Sequence, residues 1–114
     1  MTALDAMTAA RHAVAAAPER PATAILHDSP DARLVVFRLA PGQHVTPHRS
    51  SSTVALQVLS GSGEVSGEAD GAEPTRSVKA GDIVMYAPGE LHGMRAAVDE
   101  LLLLATITPR PGRR

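Results

Sequence analysis

From Pro21 onward the apolar residues fall in short runs separated by Gly, Pro, Asp and Ser. Runs of that length between turn residues predict strands. The pattern places them over residues 23–27, 33–39, 53–60, 64–67, 76–79, 83–86 and 101–108. Turns follow at Asp28-Ser29-Pro30-Asp31, Ala40-Pro41-Gly42, Gly61 and Gly81-Asp82, and a polar loop spans 68–73. Two runs do not alternate: Leu34-Val35-Val36-Phe37 and Leu101-Leu102-Leu103-Leu104-Ala105. A strand of that kind needs apolar cover on both faces. A small barrel covers only the inner one. The outer face is therefore expected against an N-terminal helix, a second sheet or another subunit.

Before Pro18 the period is helical. Leu4, Met7 and Val14 share one face with Ala10 beside them, and Thr2 with Asp5 forms a plausible start. One helix ending before Pro18 is predicted. The chain thus divides into a helix and linker over 1–20 and an all-β sandwich or barrel over 21–114. At 114 residues it has room for one domain.

Composition removes several function classes. The net charge of -1 comes from acids and bases spread along the chain, which argues against a nucleic-acid surface. The basic end, Arg110 to Arg114, reads as a solvated terminus. There is no cysteine, so disulfides and thiolate chemistry are excluded. No apolar run approaches the roughly 20 residues that span a bilayer. Asp5, Arg11 and His12 interrupt the first segment, unlike a secretory signal. The expected location is the cytoplasm. Phe37 and Tyr86 are the two aromatic residues, so a stacking platform for bases or sugars is not expected.

Two stretches carry more specific information. The first is P-G-Q-H-V-T-P-H-R-S-S-S-T-V-A-L-Q-V-L-S-G-S-G-E-V, from Pro41 to Val65. The second is A-G-D-I-V-M-Y-A-P-G-E-L-H-G-M, from Ala80 to Met94. Together they resemble the paired motifs of the cupin superfamily, G-x5-H-x-H-x3-4-E-x6-G and G-x5-P-x-G-x2-H-x3-N. Gly42, His48 and Gly61 fit the first motif, and Gly81, Gly89 and His92 fit the second. Ser50 stands at the second histidine of the pattern and Val54 at the glutamate. Ala87 and Ala96 replace the proline and asparagine. The resemblance covers about half the chain. It implies a single-domain cupin of the RmlC-like type, a double-stranded β-helix or jelly-roll barrel with a short N-terminal helix. It also implies that Val54, Leu56 and Val58 line the barrel while Gln57 points outward.

In the family, imidazoles at the positions of His48 and His92 hold a divalent metal such as Zn, Ni, Fe or Mn. Catalytic zinc usually has three protein ligands, and non-haem iron two His and a carboxylate. Here the matched positions supply two. His44 is the remaining imidazole nearby. On a regular strand it shares a face with His48 about 13 Å away, at roughly 3.3 Å per residue. A bulge or bend between Gly42 and Pro47 would bring it inward as a third ligand. Glu90, in the turn before His92, is a weaker candidate.

Three functions are compatible with this reading. One is a small-molecule-binding barrel whose pocket carries His48, Ser50, Val54, Leu56, Val58 and His92. Another is a metal-dependent enzyme, dioxygenase or isomerase-like, using His44, His48 and His92. The third is a non-catalytic structural or interaction module. Whether the chain is an enzyme stays open. Many cupins pair their sheets, and a homodimer is expected.

Overall fold

The computed structural model describes residues 1–68, 71–72 and 74–112. Part of the polar loop 68–73 and the last two arginines of the basic end lie outside the described residues. The elements are α1 (Ala6–Arg11), β1 (Ala22–Asp28), β2 (Arg33–Leu39), β3 (His44–His48), β4 (Thr53–Ser60), β5 (Ser62–Ser66), β6 (Thr75–Lys79), β7 (Ile83–Tyr86), β8 (His92–Ala96) and β9 (Leu101–Thr108). They form two antiparallel sheets, one ordered β1-β2-β9-β4-β7 and the other β3-β8-β5-β6.

The core lies between the sheets. Leu39, Val54, Leu56, Val58, Leu101, Leu103 and Ala105 come from one side, and Val65, Val78, Met94 and Ala96 from the other. Gln57 is exposed between buried Leu56 and Val58, so β4 alternates as expected. The chain passes between sheets at Gly61, where φ is +84° and a Cβ would sit 1.8 Å from the Glu100 carbonyl oxygen. No side chain fits there.

The doubly apolar strands find their second cover in the helix. Val36 and Leu102 on the outer face pack with Ala10, and Met7, Leu26 and Leu104 border them. The helix is shorter than the periodicity predicted. Its N-cap is Asp5, not Thr2: the Asp5 carboxylate accepts from the Thr8 amide at 3.0 Å and from the Thr8 hydroxyl at 2.8 Å. After Arg11 the chain leaves the helix, and Arg38 donates to the Ala13 carbonyl at 2.8 Å. Leu4 and Val14, expected on the packed face, are 44% and 81% exposed. Six residues are too few for a helix to stand alone in water. It persists because its Ala10 side closes the sheet.

That cover stops at β9. On the outer face of β4 and β7, Ile83 and Met85 remain 61% and 62% exposed, opposite Gln57 and Ala55. Among the described residues no helix is long and apolar enough to cross a membrane.

Candidate functional site

Two strands, β3 and β8, deliver the histidines. Neither coincides with a strand predicted from the pattern, and β3 contains a proline. Pro47 is tolerated because β3 is an edge strand with a bulge. The register pairs Val45 with Met94 and His48 with His92. That is three steps along β3 against two along β8, so β3 holds one extra residue. Side chains alternate along a strand, and one extra residue reverses their phase. Val45 therefore packs on the core, and three residues later His48 also turns inward.

The same bulge decides the fate of His44. In a regular strand it would share the face of His48. Here it pairs with Arg95, whose other neighbour is Glu64, on the outer side of the sheet. The structure does not bring His44 to the other two histidines. The bend considered for this stretch exists, but it turns His48 in and leaves His44 out. Glu90 is likewise occupied elsewhere, accepting from the Ala87 amide at 3.0 Å to close its turn.

His48, exposed at the mouth of the barrel, and His92, buried within it, meet with ring centroids 4.2 Å apart and planes inclined by 58°. Tyr86 lies on the far side of His92 at 5.1 Å. Each histidine is oriented by its own backbone. The Nδ1 of His48 is 3.1 Å from the Thr46 carbonyl oxygen, and that of His92 is 3.3 Å from the Glu90 carbonyl oxygen. A carbonyl only accepts, so both Nδ1 atoms carry the hydrogen. Burial lowers the proton affinity of His92, with His48 adding to the effect and the Glu90 carbonyl opposing it.

A cavity of about 390 Å³ opens in front of this pair. Ser50, Val54 and Leu56 line it. Val58 does not; it is buried in the core below. Phe37, Met94, Ala105 and Ile107 complete an apolar wall that the motifs did not reveal. Their signal was periodicity: Met94 follows His92 by two, and Phe37 lies two from Val35 and Leu39. Arg49 stands at the rim and is held by Glu68 through both Nη atoms and by the Gly89 carbonyl. Glu68 also accepts from the Leu91 amide at 3.1 Å. This carboxylate, held below its usual range by Arg49 first and Leu91 second, ties together the two loops beside His48 and His92.

Tyr86 is buried, and its hydroxyl donates to the Ser66 carbonyl at 2.8 Å. Burial, aided by Glu90, pushes its pKa up to about 12. Between pH 10 and 12 the unfolded chain has then released the phenol proton while the folded chain retains it. Stability from this group is full below pH 10 and falls as pH rises through that window. Absorbance titration follows this directly, because the chain has one tyrosine and no tryptophan. A midpoint near 10 in the folded protein would refute the burial argument.

A divalent metal, implied by the motifs, needs more than these residues provide. Ser50 is a poor ligand at neutral pH and Val54 is none. Among the described residues no group of three or more His, Cys, Asp or Glu side chains is placed to hold an ion. Two imidazoles fall short of the three-ligand sets of catalytic zinc and non-haem iron. The donor set does not fit a resident metal.

The facing sheets, the histidine pair at the cavity and the two glycine-turn motifs define a jelly-roll barrel with a pocket. The model of the cupin domain matches residues 35–108, and the chain belongs to that family. Comparison with the curated proteins found no match. Among solved structures, an uncharacterized conserved protein with a double-stranded β-helix domain from Klebsiella pneumoniae is similar at 21% identity. That match covers 92% of this chain and 90% of the other, with a TM-score of 0.79. An RmlC-like cupin protein from Desulfovibrio desulfuricans shares 27% identity over 86% of this chain and 91% of its own, with a TM-score of 0.73. The DMSP lyase DddQ from Ruegeria pomeroyi is similar at 20% identity over 87% of this chain and 53% of its own, with a TM-score of 0.71. Likenesses as distant as the first and third establish the fold alone, and one fold hosts many functions.

Proposed function

We propose that this cupin is a small-molecule-binding barrel, working without a resident metal. The observation that carries the reading is the make-up of the cavity. Two backbone-oriented imidazoles and Ser50 face an apolar wall of Phe37, Val54, Leu56, Met94 and Ile107. Concave sites of this size, mostly apolar with a few convergent polar groups, are the usual form of a ligand pocket. The test is a small-molecule screen by thermal shift on the native chain and on His92→Ala. Compounds that raise the native melting temperature and lose at least tenfold in affinity with the variant support the reading. A broad screen with no stabilising compound sinks it.

The uncovered face of β4 and β7 supports a homodimer. Ile83 and Met85 there form an apolar strip beside the helix-covered part of the same sheet. A second copy applying the same strip would bury it symmetrically. Sedimentation is expected to show a dimer at micromolar concentration, and Met85→Asp is expected to yield a folded monomer. A native monomer would end this part of the reading.

A further inference from the structure

We propose that the barrel selects a neutral hydroxyl donor with an apolar body, an alcohol, enol or phenol, over a carboxylate anion. The inference rests on the ligand-pocket reading above and names the chemistry of that ligand.

Both Nδ1–H groups are committed to backbone carbonyls, those of Thr46 and Glu90. Each ring therefore has its Nε2 left for a ligand, and in a neutral imidazole that atom only accepts. His92 is 6% exposed, yet among the described residues no buried side-chain nitrogen lacks a partner. Its Nε2 makes no hydrogen bond among those residues, so it is reachable from the cavity. Two neighbouring acceptors call for a ligand that donates.

Ser50 supplies the complement. Its Oγ accepts from the Ser52 amide at 3.1 Å, which leaves the hydroxyl hydrogen to donate. A ligand hydroxyl can then donate to an imidazole and accept from Ser50. A carboxylate has nothing to give the imidazoles.

Charge points the same way. Among the described residues that line the cavity, none is Asp or Glu, so an ammonium ligand finds no counter-ion. The cationic side chain there is Arg49, and its guanidinium already grips the Glu68 carboxylate and the Gly89 carbonyl. An anion would have to compete with a bound carboxylate. The apolar wall asks for a hydrocarbon body on the ligand.

The test uses four probes at pH 8: phenol, cyclohexanol, anisole and benzoate. Affinities come from calorimetry or ligand-detected NMR on the full chain. Long-range nitrogen NMR of the imidazoles reports which ring atoms respond. Phenol and cyclohexanol are expected to bind about tenfold tighter than anisole and benzoate, the worth of a hydrogen bond at its upper range. The Nε2 resonances should move while Nδ1 stays. Ser50→Ala should weaken phenol and anisole alike, because either oxygen can accept from Ser50, while the preference for phenol over anisole survives. Benzoate binding tighter than phenol, or anisole matching phenol, would overturn the hydroxyl assignment while leaving the pocket reading intact. If none of the four binds, anisole included, the pocket reading falls with it.

Discussion

A chain carrying Ser50→His and Val54→Glu together is expected to bind one divalent ion, where the native chain gains nothing measurable from metal. Both positions line the cavity that His48 and His92 face. The changes would supply the second histidine and the glutamate of the motif beside the two imidazoles already present. Val54 is 3% exposed, on the inner face of β4 opposite Tyr86. A carboxylate placed there without a partner is costly. The metal-free double variant should therefore be less stable than the native protein by about 1–3 kcal/mol. An ion at one hundred times its dissociation constant returns about 2.7 kcal/mol. For a domain of this size that corresponds to a melting-temperature rise on the order of 10 °C. Zinc, nickel or manganese added to the variant should show it, with metal analysis giving one ion per chain. The native protein should show no shift. A native chain that takes up a full equivalent and is stabilised to the same degree would prove that two imidazoles suffice. The metal-free reading of the pocket would then be lost.

The two sheets differed in how plainly the sequence announced them. Strands predicted over 33–39, 53–60, 83–86 and 101–108 coincide with β2, β4, β7 and β9, neighbours in one sheet. Those strands are apolar because one face meets the core and, over β2 and β9, the other meets the helix. The opposite sheet is short and wet on its outside. Its β3 contains a proline and its β8 contains Gly93 and Arg95, so periodicity failed to mark them. The motifs nevertheless located His48 and His92, because their spacing from glycine turns is a property of the barrel. What spacing could not reveal was phase. A single inserted residue in β3 decides whether His44 joins His48, and that residue is fixed only by pairing with β8. The Arg49–Glu68 tie joins residues far apart in sequence and was beyond any local signal. The predicted helix runs past Arg11 because Val14 continues the Leu4–Met7 period, whereas Val14 is 81% exposed and the helix ends at Arg11.

Gly93→Ala is expected to cost about 1–3 kcal/mol and to weaken ligand binding with it, through the bulge that aims His48. A Cβ on residue 93 would meet the Ser66 hydroxyl at 2.7 Å, the Pro47 Cγ at 2.9 Å and the Pro47 Cα at 3.2 Å. The serine can rotate away. Pro47 cannot, because its ring is part of the backbone of β3. The strand must therefore lift from β8, and the residue after Pro47 is His48. The backbone at Gly93 is not in the left-handed region, so any effect comes from contact and not from strain. Gly42→Ala offers the opposite case, with φ of +78° and nothing within 4 Å of the new carbon. It should lose about 1–2 kcal/mol from backbone strain and leave the imidazole pair unmoved. Chemical denaturation gives the stabilities, and ring resonances of His48 and His92 give the geometry. Pairing Gly93→Ala with Ser66→Ala removes the hydroxyl clash and isolates Pro47. If that double variant matches Ser66→Ala alone in stability and in histidine resonances, Pro47 does not transmit the disturbance. If it stays destabilised with displaced rings, the close approach of β3 over a bare glycine is what sets the histidine pair.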